Sequence, residues 1–403
     1  MQSHNPLPEK IDILFVLFDI GLTLENAAVF QSQVLDQALV LNSFGFSVGL
    51  VAMYEDREKF NLLIGKKLDQ NNIYFEAFRE RSFLVNLFSM SLALRKFKKN
   101  TNCAYVRGLW GPLVLKISNF FNPIPYVYDV RGDLKDEIRA IKSNKLKQFI
   151  YTSLEAWGIK NAKRVTAVTK ILSDKVSTSF SLKNEVSVIP CCINYEKFTT
   201  PENQVSYSRR LLGFSEDDMI FVYSGGLSHY QQIPAMLSLW EEFINVPNVK
   251  FLLLTNDTPH SHPSTLNELS KFGNKLTHLS VERSRIPEIL SLADIGFMLR
   301  DSRSLNSAAS PVKFAEYLAS GLAVVASPGT GDASKLIIEK EVGILIDPSD
   351  LVEGKKQLSQ LIMKIQRDGH YVFAEKGRRV AKEFYDWKSF KSVFMNLYSF
   401  HLI

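Results

Sequence analysis

The chain has 403 residues, 46% hydrophobic and 22% charged. This composition excludes a disordered protein, and the length points to two domains of about 200 residues rather than one. The formal net charge of +6 suits phosphate-bearing ligands or an anionic membrane surface and is too small to indicate a nucleic-acid partner.

The first apolar run, ILFVLF at 13–18, lies between Asp12 and Asp19 and is too short for a signal core. It reads as a strand. Gly21 follows it, either to let backbone approach a ligand or as a plain turn. A helical pattern runs from Asn26 to Phe44 and closes at Gly45. Further strands are predicted near 47–53, 103–107, 125–130, 164–168 and 186–190. Phe83 to Leu94 is the most apolar window, broken by Asn86, Ser89 and Ser91, and falls short of a membrane span. Arg95, Lys96, Lys98 and Lys99 follow it. The pattern fits a basic helix half-embedded in a membrane surface, or a helix packed on the first sheet. Arg107, Asp129 and Arg131 fall at strand ends, where they could meet an acceptor; Asp129 and Arg131 also suit a structural ion pair. Glu137 could orient an acceptor hydroxyl or begin a solvated helix.

Three cysteines, Cys103, Cys191 and Cys192, without paired spacing indicate a reducing, cytoplasmic setting. Vicinal Cys191 and Cys192 read as two small residues in a turn or as a reactive pair. The polar stretch TTPENQVSYS at 199–208 marks a domain boundary. Strands follow near 220–224, 249–255, 276–280, 294–299 and 322–326. The segment RRVAKEFYDWKSFKSVFMNLYSF is a long helical pattern broken at Asp386–Trp387. The expected division is 1–200, 201–380, and a C-terminal helical segment 381–403 returning to the first domain.

Strands alternating with helices predict α/β architecture with two parallel sheets. Such sheets bind ligands at the carboxyl ends of their strands, so two facing sheets would make one cleft. GxGxxG, GxxxxGK[ST] and Asp-x-Asp are all absent. His260 and His262 sit in a Pro-rich loop without a Cys or Glu partner, so neither a metal nor another cofactor is expected.

The most informative stretch is DIGFMLRDSRSLNSAASPVKFAEYLASGLAVVAS, 294–327. After a buried strand comes a polar loop with Arg300, Arg303 and Asn306. Ser310 and Pro311 predict a helix start, as N-cap and first helical residue, and Gly321 predicts its end. Lys313 and Glu316 are three apart and share a face, read as exposed, so that losing Lys313 should cost little stability. Phe314 and Leu318 should pack on the sheet. Free N–H groups, the helix dipole and an ammonium suit a diphosphate, and the carboxylate suits ribose hydroxyls. The same spacing also fits an ion pair on a solvated helix.

SPVKFAEYLASGLAVV closely resembles the donor-binding helix of GT-B transferases in glycosyltransferase family 4. DVRGDLKDE at 129–137, AVTKILSDKV at 167–176, VIPCCINYEKF at 188–198 and FVYSGGLSHYQQIPAML at 221–237 resemble other segments of that family, in order, so the likeness runs from about residue 12 to 395. The DVRGDLKDE segment points to a bacterial polysaccharide-assembly subgroup. The resemblance implies GT-B architecture, two Rossmann-like domains with sheets facing a central cleft. It also implies metal-independent, retaining transfer from a nucleoside-diphosphate sugar to a glycan or lipid-linked acceptor. A lipid-linked acceptor would suit peripheral contact of the basic 83–99 segment with the membrane's inner face. Donor contacts would come from Gly225, Gly226, Arg300, Asn306, Ser310, Pro311, Lys313 and Glu316. Arg131, Asp129 and Glu137 would be the catalytic groups on the acceptor side, with Gly21 and Arg107 at the cleft. Two departures stand out. Ala308 occupies the place of the first of two glutamates spaced by seven, and no basic residue follows Gly225-Gly226. These departures keep a non-catalytic GT-B subunit supporting a partner transferase in view. A nucleotide-sugar 2-epimerase shares the architecture, but no cluster of carboxylates and histidines for proton abstraction is seen.

Overall fold

The computed structural model describes all residues except 1, 4, 23–26, 141–143, 200–206, 258–262, 302–303 and 400–403. Arg303, His260 and His262 therefore lie outside the described residues, as does most of the 199–208 stretch. The chain forms two compact units, Met1–Pro190 with Trp387–Ile403, and Cys191–Asp386.

The first unit holds a seven-stranded parallel sheet in the order β3-β2-β1-β4-β5-β6-β7. Its strands are β1 (Ile11–Leu22), β2 (Val48–Tyr54), β3 (Tyr74–Arg79), β4 (Thr101–Arg107), β5 (Tyr126–Val130), β6 (Arg164–Ala167) and β7 (Ser187–Val188). β1 lies centrally between β2 and β4, and Ile13 through Leu17 are fully buried. This strand runs past the predicted run. Its ladder with β2 shifts register between Leu17 and Leu22, so Gly21 lies inside the strand rather than after it. The helical pattern after it, Ala27–Phe30 and Asp36–Ser43, is interrupted by a π-helical turn, Gln31–Leu35.

The second unit holds six parallel strands in the order β10-β9-β8-β11-β12-β13. These are β8 (Met219–Ser224), β9 (Val249–Leu254), β10 (Leu276–Leu279), β11 (Ile295–Met298), β12 (Ala323–Ala326) and β13 (Gly343–Leu345). Period-two alternation divides each central strand between two cores. Phe221, Phe297 and Val325 pack on one face around Trp240. Val222, Met298 and Val324 pack on the other with Phe314 and Leu318. Burial on both faces is what a parallel sheet covered by helices requires.

In both sheets the order is 3-2-1-4-5-6 from the first strand of the unit, with a seventh strand in the first. This is the Rossmann order, and its switch point lies where connections depart in opposite directions. In the first unit that point is between β1 and β4, in the second between β8 and β11. The second unit begins and ends side by side, because the Ile193 N–H donates to the Tyr385 carbonyl at 2.8 Å and Ile193 bridges Asp386 in parallel.

Candidate functional site

The second unit gathers its polar residues at the carboxyl ends of β8, β11 and β12, three adjacent strands. Gly225 follows β8, Arg300 follows β11 and Ser327 follows β12. The helix Val312–Ser320 lies beneath these ends. Tyr317 fixes it there: its hydroxyl accepts from Ser224 N–H (2.9 Å) and donates to the Phe297 carbonyl (3.2 Å). Gly321 closes the helix in a left-handed conformation, φ +88°, with its N–H bonded back to Tyr317 and Leu318.

The helix starts differently from the sequence expectation. Pro311 is the cap residue, and no side chain caps this terminus. Ser310 is drawn away by another bond: its Oγ accepts from the Cys191 N–H at 3.0 Å.

Lys313 and Glu316 share a face, but that face is buried, with 8% and 4% exposure. It turns toward the strand ends instead of solvent. Lys313 Nζ donates to Gln231 Oε1 at 3.0 Å and to the Tyr223 hydroxyl at 3.3 Å, and lies 4.3 Å from the Tyr223 ring centre. All these partners are neutral. Glu316 is bound instead by Arg283, Nη2 to Oε1, at 2.8 Å. Burial pushes the Lys313 ammonium down to about 7, Arg300 adds to that and Glu316 opposes it. The exposed face on which a low stability cost of removing Lys313 rests is therefore not present.

The glycine turn fits the lysine. A Cβ on Gly225 (φ +140°) would stand 2.9 Å from Lys313 Nζ. The Gly226 carbonyl accepts from the Tyr223 hydroxyl, and Leu227 N–H donates to Asp257 Oδ2 at 2.6 Å. Arg300 lies over the Tyr230 ring at 5.5 Å, its backbone N–H bonded to Ser327 Oγ at 2.8 Å. Burial lowers its pKa. Asn306 is spent on its own loop. It donates to Asp301 Oδ1 and carbonyl at 2.7 Å each, and accepts from Arg300 Nη1 at 3.1 Å. Ala308 is buried.

In the first unit, Arg107 ends β4 and stands in register with Asp129 on β5. Asp129 is buried and accepts from Arg131 Nε (2.6 Å), Thr166 Oγ1 (2.7 Å) and the Tyr105 hydroxyl. Burial alone would raise its pKa; Arg131, Arg107 and those hydrogen bonds outweigh it and hold the carboxyl below its usual value. Arg131 also reaches Gln33 at 3.3 Å. A cavity of about 230 Å³ is lined by Arg107, Tyr128, Asp129, Arg131, Glu137 and Glu155. Burial raises the pKa of Glu137. Burial, and then the Glu137 charge, push Glu155 up to about 7.

Glu155, Gln231, Arg283 and Tyr223 were not singled out from sequence. Gln231 sits in the HYQQIP stretch after the glycine turn, where a polar pair before Pro234 was the available signal. Arg283 and Glu155 carried none. Among the described residues, no three His, Cys, Asp or Glu side chains are grouped to hold a metal ion.

Residues 207–380 match the family model described as glycosyl transferases group 1. No curated protein matches the chain. Among solved structures, it is similar to Alr3699/HepE of Anabaena in complex with UDP-glucose, at 16% identity and TM-score 0.71, covering 96% of this chain and 99% of that one. The sucrose-phosphate synthase of Thermosynechococcus elongatus is similar at 15% identity and TM-score 0.71, over 97% and 98% of the two chains. The UDP-GlcNAc 2-epimerase of Neisseria meningitidis, bound to UDP-GlcNAc, is similar at 12% identity and TM-score 0.61, over 95% and 98%. Within the second unit, residues 207–380 thus resemble glycosyl transferases group 1, and the chain as a whole has the GT-B fold.

Proposed function

We propose that the chain transfers a sugar, with retention and without a metal, from a nucleoside-diphosphate donor to a glycan or lipid-linked acceptor in polysaccharide assembly. The observation that carries this reading is the state of Lys313. A buried ammonium whose hydrogen bonds go only to neutral oxygens is costly, and a diphosphate would supply the missing negative charge. Gly225 leaves room for backbone beside it, and Arg300 adds a second cation at the neighbouring strand end. Glu316 has one oxygen held by Arg283, and a carboxylate with about four lone-pair sites retains capacity for ribose hydroxyls.

The chain's own residues would act by positioning and by stabilising the departing diphosphate. Within the first unit, the cavity lined by Glu137 and Glu155 would bind acceptor hydroxyls through hydrogen bonds to these carboxyls, with Arg131 held in place by Asp129. The test is calorimetry of the intact chain with UDP-, GDP-, CDP- and dTDP-sugars. Products from the donor that binds are then identified by NMR of the anomeric proton. We expect micromolar binding of one diphosphate family, EDTA-resistant turnover and an anomer like the donor's. Absence of any nucleoside-diphosphate binding overturns the donor site. A 2-epimerised nucleotide sugar without transfer overturns the reaction.

A further inference from the structure

Among the described residues, nothing hydrogen-bonds or pairs with the carboxyl of Glu155, although that residue is only 8% exposed. Its helix explains how it came to be buried. Glu155 lies on Lys145–Asn161, three residues before Gly158 and so on the same face. Gly158 packs closely against Pro112 and Tyr128, and its carbonyl accepts from the Tyr126 hydroxyl at 2.7 Å. That face is thereby fixed on β5, and Glu155 is carried to the cavity at the strand's carboxyl end. A buried carboxyl without a partner is costly, and the cavity is open to a ligand that would satisfy it.

Glu137 is the second carboxyl of this cavity. It is exposed and lies on the helix Leu134–Ala140. Its Oε1 occupies the space where a Cβ on Gly132 would stand, so glycine lets it turn back over the end of β5. No hydrogen bond or ion pair among the described residues holds it either. The other charges around Glu155 are engaged or exposed. Arg131 and Arg107 serve Asp129, whose carboxyl they hold ionised. Lys175 is bound by Asp133, and Lys135 is exposed. Burial and then the Glu137 charge push Glu155 up to about 7, and Lys135 opposes them.

Size and charge describe the occupant. About 230 Å³ is less than the roughly 300–1,000 Å³ of pockets that take drug-sized ligands, so the cavity encloses one ring-sized group. Two guanidinium groups and three carboxyls line it. Their charges balance while Glu155 keeps a proton, and one negative charge is in excess when it ionises. A ligand with a single positive charge restores the balance, and its N–H groups satisfy both free carboxyls. A neutral hydroxyl supplies the hydrogen bonds without the charge. A calcium ion collects about six to eight oxygens, more than two carboxyls give.

We propose that this cavity takes the protonated amino group of a sugar ring, held between Glu137 and Glu155, so that the acceptor is an amino sugar or a glycan ending in one. The proposal rests on the reading of this cavity as the acceptor's, and it names the acceptor's class. Binding is an exchange: the ammonium enters and the Glu155 proton leaves to solvent.

The test is ligand-observed NMR titration of the intact chain with glucosamine, N-acetylglucosamine and glucose. It is run from pH 5 to pH 7, where an ordinary amine stays protonated. At pH 7 we expect glucosamine to bind at least about tenfold more tightly than the two neutral sugars. Its affinity should fall as the pH is lowered to 5, because the proton it displaces is then held more firmly. Glu155→Gln and Glu137→Gln should each remove the preference. Glu137 is exposed, so its variant remains informative where the other fails to fold, and melting curves report folding.

Equal affinity for the three sugars, no binding of glucosamine, or folded variants that bind it like the parent overturns the proposal. Calcium binding that both variants lose, without glucosamine binding, reassigns the carboxyls to a metal cation and also overturns it. Nucleoside-diphosphate binding is measured on the same sample. Where it persists without glucosamine binding, this inference alone falls and the transferase reading stands. Where glucosamine binds and no diphosphate does, the amine site stands and the transferase reading falls.

Discussion

The end of the Lys313 side chain stands against the backbone of Gly225, 2.9 Å from where a Cβ at that position would begin. Gly225→Ala should therefore act twice. It strains a backbone at φ +140°, costing about 1–3 kcal/mol, and it pushes the ammonium from its place. Nucleoside-diphosphate affinity should fall at least about tenfold, the equivalent of 1.4 kcal/mol. Unchanged affinity in a folded variant would mean that this turn does not border the ligand.

Lys313→Met should separate stability from binding. Burial brings the ammonium from 10.5 to about 7. The unfolded chain holds this proton up to the higher value and the folded chain gives it up near the lower one. The group thus destabilises the fold fully below pH 7, and the penalty fades as pH rises from 7 to 10.5. Without ligand, the methionine variant should melt a few degrees higher near neutral pH, at roughly 2–4 °C per kcal/mol, and equal the parent near pH 10.5. Diphosphate binding should fall about tenfold to a hundredfold, as loss of a charge-assisted hydrogen bond implies. In the parent, binding above pH 7 should take up a proton and weaken as pH rises, read from calorimetry in buffers of different ionisation enthalpy.

Glu316→Gln makes the complementary case. Its effect on affinity should persist with the free nucleoside, because it concerns ribose hydroxyls, whereas the Lys313 effect should vanish once phosphates are removed. Arg283 would be left without its carboxylate, so melting curves must accompany the titration. Equal losses with nucleoside and diphosphate for both variants would point to general damage of the helix.

Glu155→Gln tests the first unit. The carboxyl is pushed up to about 7 from 4.5, so the folded state holds its proton where the unfolded state has lost it. Stability from this group falls as pH rises from 4.5 through 7. The glutamine variant should gain melting temperature relative to the parent above pH 7 and match it below pH 4.5. A gain independent of pH would show that Glu155 does not titrate in the cavity.

The strands were legible because most are uninterrupted apolar runs. β3 escaped because YFEAFR places Glu76 in mid-strand, and that glutamate is buried only through Lys96. β13 escaped because three residues give no period. The spacing of Lys313 and Glu316 correctly put them on one face, but spacing cannot say whether a face meets solvent or strand ends. Their partners Tyr223, Gln231 and Arg283 come from other elements, and only the fold brings them together. Ser310 and Pro311 looked like a cap and first turn; a backbone N–H from Cys191, distant in sequence, claimed the serine.

The paired ends of the second unit have a practical consequence. Ile193 and Asp386 form an isolated parallel bridge, so entry and exit are separated by about one strand spacing, roughly 5 Å. Residues 191–386 therefore form a cassette with adjacent termini. It can be excised, circularly permuted or exchanged for the equivalent segment of another transferase through two neighbouring splices. Donor preference should travel with the cassette while the remaining scaffold keeps its own sheet intact.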